Sequence, residues 1–212
     1  MVCDRKHMLL YAITDRSWLD GRSLAKDAEK ALKGGATCLQ LREKELCAEE
    51  FLKEAEELKE LCAAYKVPFI INDNVDIAVA CGADGIHVGQ SDMDALRVRG
   101  IVGGGMIVGV SAQTVEQALE AEKSGADYIG VGAVFSTSTK LDAGTISLDT
   151  VREICGAVSI PVVAIGGISE ENIMKLKGSG VDGVSVISAI FAAKDIEAAA
   201  VRLLRLSEEM IK

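Results

Sequence analysis

The sequence alternates between short apolar segments and longer amphipathic ones, and this alternation constrains the fold more than any other feature. The apolar segments lack strict alternation with polar residues and are often β-branched, which is typical of parallel strands covered on both faces. We predict eight strands, at Met8–Thr14, Thr37–Arg42, Pro68–Asn72, Gly85–Val88, Met106–Val110, Tyr128–Gly132, Pro161–Ile165 and Gly183–Ile187.

The segments between these strands have the periodicity of amphipathic helices. They predict helices at Ser23–Lys33, Ala48–Tyr65, Asn74–Cys81, Asp92–Arg99, Thr114–Ser124, Ser147–Cys155, Glu170–Lys177 and Ile196–Met210. Ser147 and Ser169 each stand just before a helical segment, where a side-chain hydroxyl caps the first amides of a helix.

A short Gly-Ala-Asp or Gly-Ala-Thr phrase recurs where a predicted helix ends and the next strand begins. It occurs at Gly35-Ala36-Thr37, Gly82-Ala83-Asp84 and Gly125-Ala126-Asp127, with Gly180-Val181-Asp182 as a related form. Glycine suits the left-handed backbone that commonly ends a helix. These loops would lie at the amino ends of the strands, the end of a barrel that contributes to stability rather than to reaction.

The order and number of these elements favour a (β/α)8 barrel of the α/β class. Eight units in 212 residues leave about 26 residues each, close to the minimum for this fold. The chain has only two prolines and no polar low-complexity linker, so we predict one catalytic domain over residues 1–212. An open doubly wound parallel sheet is the alternative, because it also alternates strand and helix.

Composition restricts the partners. The net charge of -9 disfavours binding to nucleic acid and to anionic membranes, and no apolar segment reaches the roughly 18 residues of a membrane span. The six cysteines include no CxxC pair, and because the residues near the start are charged and include no apolar segment we expect no signal peptide. We therefore expect a cytoplasmic protein with reduced thiols and small-molecule substrates, and the sequence leaves open whether it forms a homo-oligomer.

In a barrel the reactive groups lie at the carboxyl ends of the strands, so the residues that follow each apolar segment are the site candidates. After the second strand, Gln40, Arg42 and Lys44 alternate with Leu41 and Glu43 and would share one face. Two cations and an amide on one face suit a polyanion. The alternative is an ordinary solvated strand end.

Two carboxylates follow the third and fourth strands. Asp73 and Asp92 would lie close together, because neighbouring parallel strands are about 4.8 Å apart. Two carboxylates completed by water and substrate phosphate are the usual Mg²⁺ arrangement, whereas the absence of nearby His or Cys at ligand spacing disfavours Zn²⁺. Asp92 has an alternative role as the N-cap of the following helix.

The remaining strand ends carry groups that suit anions. Ser111 is either a phosphate ligand or a helix cap, and the hydroxyl-rich segment that ends at Lys140 is either a substrate-covering loop or a surface linker. Gly167 and Ser188, after the seventh and eighth strands, indicate a phosphate site built from backbone amides. His87 lies inside the fourth strand, where a structural role is favoured.

These residues belong to motifs that resemble the thiamine phosphate synthase family. The motifs run from the first strand to the last: Tyr11–Asp15, Gln40–Lys44, Ile71-Asn72-Asp73, Ala83–Gln90 with Asp92, Gly109-Val110-Ser111, Tyr128–Lys140, Ala164–Ile168 and Val184–Ile190. The resemblance implies that a hydroxymethylpyrimidine diphosphate is joined to a thiazole phosphate, giving thiamine phosphate and diphosphate. It also implies a dissociative reaction, in which the C–O bond breaks before the thiazole nitrogen attacks.

The resemblance also implies a role for each candidate. The pyrimidine diphosphate would be bound by Gln40, Leu41, Arg42, Glu43, Lys44, Asn72, Ser111 and Lys140. Arg42, Lys44 and Lys140 would stabilise the departing charge, and Asp73 and Asp92 would bind Mg²⁺ as the cofactor. The thiazole phosphate would be bound by Thr137, Ser138, Thr139, Gly167, Ile187 and Ser188.

The chain departs from the family pattern at Ala133 and Ser136, where the family often has prolines. Two other functions compete with thiamine phosphate synthesis: a thiazole tautomerase of the same fold, and a barrel that binds phosphorylated metabolites without catalysis. The tautomerase should lack the complete set of Gln-x-Arg-x-Lys, paired aspartates and Thr-x-Thr-Lys, all of which this chain has.

Overall fold

The computed structural model describes residues 3–136 and 145–212. Eight parallel strands close into a barrel in the order in which they occur along the chain. They are β1 Leu10–Ile13, β2 Cys38–Leu41, β3 Phe69–Asn72, β4 Gly85–Val88, β5 Ile107–Ala112, β6 Tyr128–Val131, β7 Val162–Ile165 and β8 Gly183–Val186. β1 pairs with both β2 and β8, so the predicted barrel is confirmed and the open-sheet alternative is wrong.

Helices surround the barrel. They are α1 Leu24–Lys33, α2 Ala48–Tyr65, α3 Val75–Ala80, α4 Ala95–Val102, α5 Val115–Lys123, α6 Leu148–Ala157, α7 Ser188–Phe191 and α8 Ile196–Met210. Short 3-10 helices lie at Arg5–Met8, Arg16–Trp18, Gly103–Gly105 and Ile173–Leu176. In the described part of the chain, no helix is both long and apolar enough to cross a membrane.

The predicted helix at Glu170–Lys177 is wrong, because this segment contains only the 3-10 helix at Ile173–Leu176. The Asn172 side chain bonds to local backbone instead of continuing a helix, accepting from the amide of Ser169 and donating to the carbonyl of Gly167. Ser169 therefore does not begin an α-helix. The predicted cap at Ser147 is confirmed, since its side chain accepts a hydrogen bond from the amide of Thr150.

The core has two layers. Side chains inside the barrel form one cluster, which includes Met8, Tyr11, Ile70, Ile107 and Tyr128, and the side chains between strands and helices form a second, larger one. Gly109 makes room inside the barrel, because a Cβ atom there would lie 2.1 Å from the ring of Tyr128. The large aromatic residue is thus seated by a residue with no side chain on the neighbouring strand.

The Gly-Ala-Asp loops lie at the amino ends of the strands, as predicted. Their glycines have left-handed backbone, with φ values of 96° at Gly35, 62° at Gly82, 88° at Gly125 and 89° at Gly180. The third residue of each phrase has a role that the sequence does not reveal. Its side chain accepts a hydrogen bond from the amide of the first or second residue of the preceding strand, in the pairs Thr37 with Leu10, Asp84 with Phe69, Asp127 with Val108 and Asp182 with Val162.

Candidate active site

A cavity of about 330 Å³ opens at the carboxyl ends of the strands. Eight of the predicted site residues line it: Gln40, Arg42, Asn72, Asp92, Ser111, Gly167, Ile187 and Ser188. A second groove, of about 700 Å³, lies at the opposite end between the start of the chain and its last helix, around Arg5, Leu176 and Met210. The chemistry-bearing residues of the motifs lie at the first cavity, so we take that cavity as the site.

The end of β2 presents alternate residues to the cavity and to the protein interior. Gln40 is only 2% exposed and donates from Nε2 to the hydroxyl of Tyr11 at 2.7 Å. Arg42 extends towards the mouth of the cavity, where its Nη1 lies 3.6 Å from Oδ2 of Asp15. Its backbone amide donates to Oγ1 of Thr14 at 3.1 Å, which fixes the end of the strand.

Leu41 and Glu43, also predicted to bind the pyrimidine diphosphate, point their side chains away from the cavity. Leu41 packs in the layer between strands and helices. The Glu43 carboxylate accepts hydrogen bonds from the amides of Lys44 and Glu45 and from Nε of Arg16. The two residues face inwards because side chains alternate along a strand, and only their backbone is left to meet a substrate.

Lys44, Asp73 and Asp92 form a charged cluster at the edge of the cavity. Lys44 Nζ lies 2.6 Å from Oδ2 of Asp73. Burial raises the pKa of Asp73, the neighbouring carboxyl of Asp92 raises it further, and Lys44 opposes both effects. The two carboxyl groups therefore lie within interaction distance, as the sequence predicts.

The alternative role of Asp92 as a helix N-cap is wrong. Asp94 occupies that position, where its side chain accepts hydrogen bonds from the amides of Leu96 and Arg97. Asp92 instead accepts from the amide of Gly89 at 2.7 Å. Its carboxylate shapes the turn after β4 and remains beside Asp73.

The residues present fit a magnesium ion better than a metal that needs an all-protein cage. The described residues contain no group of three or more His, Cys, Asp or Glu side chains placed to hold a metal. Mg²⁺ usually takes one or two carboxylates and completes its shell with water and substrate phosphate. Asp73 and Asp92 supply such a pair, because their carboxyl groups lie within interaction distance of each other.

Five polar side chains form a continuous hydrogen-bonded chain across the base of the cavity. Tyr11 contacts Gln40 on one side and the hydroxyl of Tyr128 on the other, at 2.8 Å. His87 links Tyr128, 2.8 Å from Nδ1, to Oγ of Ser111, 2.9 Å from Nε2. His87 therefore has the predicted structural role and also lines the cavity. Ser111 is not a helix cap, since Thr114 caps α5.

The far side of the cavity is built where the loops after β6 and β7 pair with each other. The amides of Val134 and Phe135 donate to the carbonyls of Ile165 and Gly166, at 2.9 and 3.0 Å. Gly167 has a φ of 62°, and a Cβ atom there would lie 2.3 Å from the carbonyl oxygen of Ser136. A side chain at position 167 would thus displace the β6 loop in addition to blocking a ligand.

Short helix α7 begins at Ser188, directly after β8. Ile187 and Ser188 line the same cavity as Gly167. The predicted residues Thr137, Ser138, Thr139 and Lys140 lie outside the residues that the structure describes.

Sequence reasoning missed Ser185. It lines the cavity from within β8, is 3% exposed, and its Oγ has no hydrogen-bond partner among the described residues. A buried polar atom without a partner costs free energy, so this hydroxyl is suited to meet a polar group of a ligand. The signal was present in the sequence, because Ser185 precedes the cavity residue Ile187 by two positions and shares its strand face.

Cations, a carboxylate pair, a hydrogen-bonded polar base and a glycine-rich loop at the carboxyl ends of a closed barrel are the features of a (β/α)8-barrel enzyme that handles anionic substrates. Comparison with known proteins identifies the family. Residues 10–190 match the family described as thiamine monophosphate synthase. The chain belongs to that family.

Similar proteins agree along almost the whole chain. A thiamine-phosphate synthase of Ruminiclostridium cellulolyticum is 51% identical over 197 residues, covering 93% of this chain and 94% of the relative. One from Clostridioides difficile is 52% identical over 192 residues, covering 91% of each. The solved thiamine phosphate pyrophosphorylase of Pyrococcus furiosus is 40% identical, with a TM-score of 0.91, and covers 98% of this chain and 99% of that structure.

Proposed function

We propose that this cavity synthesises thiamine phosphate. The reaction joins 4-amino-2-methyl-5-(diphosphooxymethyl)pyrimidine to thiazole phosphate and releases diphosphate, which makes the protein a transferase. The family match and the identities near 50% support this function. The structural observation that carries it is the convergence of Arg42, Lys44, Asp73 and Asp92 on one edge of a cavity whose opposite edge holds Gly167 and Ser188.

The β2 to β5 side of the cavity is the proposed site of the pyrimidine diphosphate. Gln40 and Ser111, at the base, would meet the ring, while Arg42 and Lys44 would meet the diphosphate. Asn72, at the end of β3, lines the same cavity. Lys140 is proposed to reach the same diphosphate from the β6 loop.

The β6 to β8 side is the proposed site of the thiazole phosphate. Backbone amides near Gly167 and Ile187 would bind the phosphate together with the hydroxyl of Ser188, since glycine-rich turns and helix starts commonly form phosphate sites in this fold. We propose that Thr137, Ser138 and Thr139 add hydroxyl contacts from the β6 loop. The thiazole ring would then lie against the pyrimidine, between the two anionic groups.

Asp73 and Asp92 are the proposed ligands of Mg²⁺, which would neutralise charge on the diphosphate when bound. Lys44 now contacts Asp73 and would turn to the diphosphate once a cation replaces it there. The two carboxylates would then bind the metal, and Lys44 would be available to neutralise negative charge on the diphosphate.

The proposed chemistry needs no general base. The C–O bond of the pyrimidine breaks, and its electron pair leaves with the diphosphate. The lone pair of the thiazole nitrogen then forms the new C–N bond at the same carbon. No proton is lost from that nitrogen, so the cations Arg42, Lys44 and Lys140 act by stabilising the leaving charge.

The test is turnover with both substrates and with Mg²⁺ varied. Diphosphate should be released only when both substrates are present, whereas a tautomerase would act on the thiazole alone and a binding protein would release nothing. If diphosphate is released but thiazole phosphate is not incorporated into a product, the proposed condensation is contradicted.

The metal assignment is tested by Asp73→Asn. Asp73 has a left-handed φ of 63°, which asparagine tolerates well, so this change removes the charge and keeps the backbone. Turnover should fall and more Mg²⁺ should be needed to restore it. Asp73→Ala is the comparison, since it adds backbone strain to the same loss of charge. Unchanged activity of Asp73→Asn at limiting Mg²⁺ would refute the assignment.

A further inference from the structure

The hydrogen-bonded chain at the base of the cavity connects two proposed substrate contacts that are far apart in sequence. Gln40 stands at one end and Ser111 at the other, and Tyr11, Tyr128 and His87 lie between them. The two tyrosines are 1% and 0% exposed, so their hydroxyl groups exchange hydrogen bonds with each other and with these neighbours rather than with bulk water. These hydrogen bonds therefore connect the side chains of Gln40 and Ser111 at the two ends of the cavity base.

The Gln40 amide sets the starting point for one direction of this hydrogen-bonded chain. Gln40 donates from Nε2 to Tyr11. A tyrosine hydroxyl has a single proton, and the hydrogen bond between the two tyrosines allows either one to donate. In the direction that continues from Gln40, Tyr11 donates to Tyr128 and Tyr128 donates to Nδ1 of His87. His87 then carries its proton on Nε2 and donates it to Ser111.

Burial keeps this direction intact at neutral pH. It raises the pKa of Tyr11 and of Tyr128 well above the ordinary value, so both hydroxyls stay protonated. At the two ends, hydrogen-bonding groups are left for the cavity, among them one acceptor on Gln40 and one donor on Ser111. Gln40 has its Oε1, to which no described residue donates, and Ser111 has its hydroxyl hydrogen.

We propose that Tyr11, Tyr128 and His87 are positioning residues that fix the polarity of the cavity base, an acceptor at Gln40 and a donor at Ser111, and thereby select an aminopyrimidine ring. The ring matches this polarity because its amino group donates and its ring nitrogens accept. The identity of the ring rests on the proposed function, whereas the direction of the hydrogen bonds from Gln40 to Ser111 is a property of the ligand-free protein. The two parts can therefore be tested separately.

The direction is tested by the tautomer of His87, measured from its side-chain ¹⁵N shifts in the ligand-free protein. The chain has only two histidines, and a His7→Gln variant assigns the signals. At a pH about two units above the ordinary imidazole pKa, wild-type His87 should carry its proton on Nε2. A proton on Nδ1 would overturn this direction and leave the proposed function standing.

A variant that reverses the direction of the hydrogen bonds is the sharper test. A neutral histidine in solution also prefers to carry its proton on Nε2, so the wild-type tautomer alone does not distinguish the proposed direction from that preference. Gln40→Glu places a carboxylate, which only accepts, against Tyr11. Tyr11 must then donate to it, Tyr128 to Tyr11, and His87 from Nδ1 to Tyr128. The His87 proton should move to Nδ1 in this variant and stay on Nε2 in Gln40→Glu combined with Tyr11→Phe. An unchanged tautomer in Gln40→Glu would overturn the proposal.

The consequence for substrate is tested by Tyr11→Phe, which keeps the buried ring and frees the Gln40 amide to turn over. The KM for the pyrimidine diphosphate should rise about tenfold, as expected for one neutral hydrogen bond, with the KM for thiazole phosphate unchanged. Tyr65→Phe is the matched control, because Tyr65 lies on α2 and its hydroxyl contacts Glu29. Equal changes in both KM values would overturn the selective role, even if turnover with both substrates confirms the proposed function.

Discussion

Glu43 stands in the middle of a substrate-binding motif, yet its carboxylate stabilises the loop that carries the motif. Burial alone would raise its pKa, but hydrogen bonds from the amides of Glu45 and Lys44 and from Arg16 outweigh burial and lower it. Arg16 also makes two contacts to Glu54 of α2, at 2.7 and 2.8 Å. The loop after β1, the end of β2 and helix α2 are thus tied together through one guanidinium group.

We expect Glu43→Gln to lower the free energy of unfolding at neutral pH by about 1–3 kcal/mol, the cost of weakening a buried charged hydrogen-bond acceptor. Because the folded-state pKa of Glu43 is lowered, its contribution is present above the unfolded pKa and is lost as the pH falls through the folded value. Denaturant melts from pH 7 down to pH 3 should therefore bring the two proteins together at acid pH. A constant difference across this range would contradict the electrostatic origin.

Lys140 is the proposed group that meets the leaving diphosphate as its charge grows. A contact that strengthens in the transition state lowers kcat more than it raises KM. Lys140→Ala should therefore reduce the single-turnover rate about 10²-fold with both substrates saturating, and Lys140→Arg should restore little, because a planar fork replaces a compact ammonium. A wild-type rate in Lys140→Ala would assign the leaving-group role to Arg42, Lys44 and the metal.

At the scale of elements, the strands were predictable because burial on both faces leaves a strong apolar signal. The structure places all eight strands within the predicted segments or within two residues of them, as with β5, which extends to Ala112. The segment before β8 was not predictable in the same way. Its apolar residues Ile173 and Leu176 are buried with helical spacing, but Asn172 satisfies the local backbone and only a short turn forms.

The site shows the same division between local and long-range information. The positions of Arg42, Asp73 and Ser188 followed from the rule that reactive groups end barrel strands. The hydrogen-bonded chain at the base of the cavity did not follow from this rule. Its members come from five strands and meet only because of the strand register, in which Tyr11 pairs with Cys38 and with Ser185. Neither the separation of Tyr11 and Tyr128 in the sequence nor their residue type indicates that they are in contact across the barrel.

The loops at the amino ends of the strands supply a prediction about stability. Asp84 accepts a hydrogen bond from the buried amide of Phe69 at 3.0 Å and contacts Nζ of Lys59 at 2.7 Å. Asp84→Ala should lower the free energy of unfolding by about 1–3 kcal/mol, because it leaves that amide without a partner. Asp84→Asn keeps an acceptor and loses only the ion pair, worth about 0–1 kcal/mol. Equal losses in the two variants, measured by denaturant melts, would assign the stabilisation to Lys59 instead.

At the scale of the whole molecule, the two ends of the barrel have different roles, stability at the amino ends of the strands and substrate binding at their carboxyl ends. Asp84 lies just before β4, at the end that carries the Gly-Ala-Asp loops, and Ser188 lies just after β8, at the cavity. A strand of four residues spans about 13 Å at 3.3 Å per residue. Groups that are more than about 10 Å apart and share no partner contribute independently to stability.

We therefore expect Asp84→Ala and Ser188→Ala to act on separate properties. Asp84→Ala should lower stability and leave both KM values within about twofold, since no group at the cavity moves. Ser188→Ala should raise the KM for thiazole phosphate about tenfold, through loss of one hydrogen bond to a charged group, and change the free energy of unfolding by less than about 0.5 kcal/mol. The double variant should show both effects as simple sums. A KM that rises further in the double variant than in Ser188→Ala would mean that the amino-end loops control the geometry of the cavity through the strands, and the separation of roles would not hold.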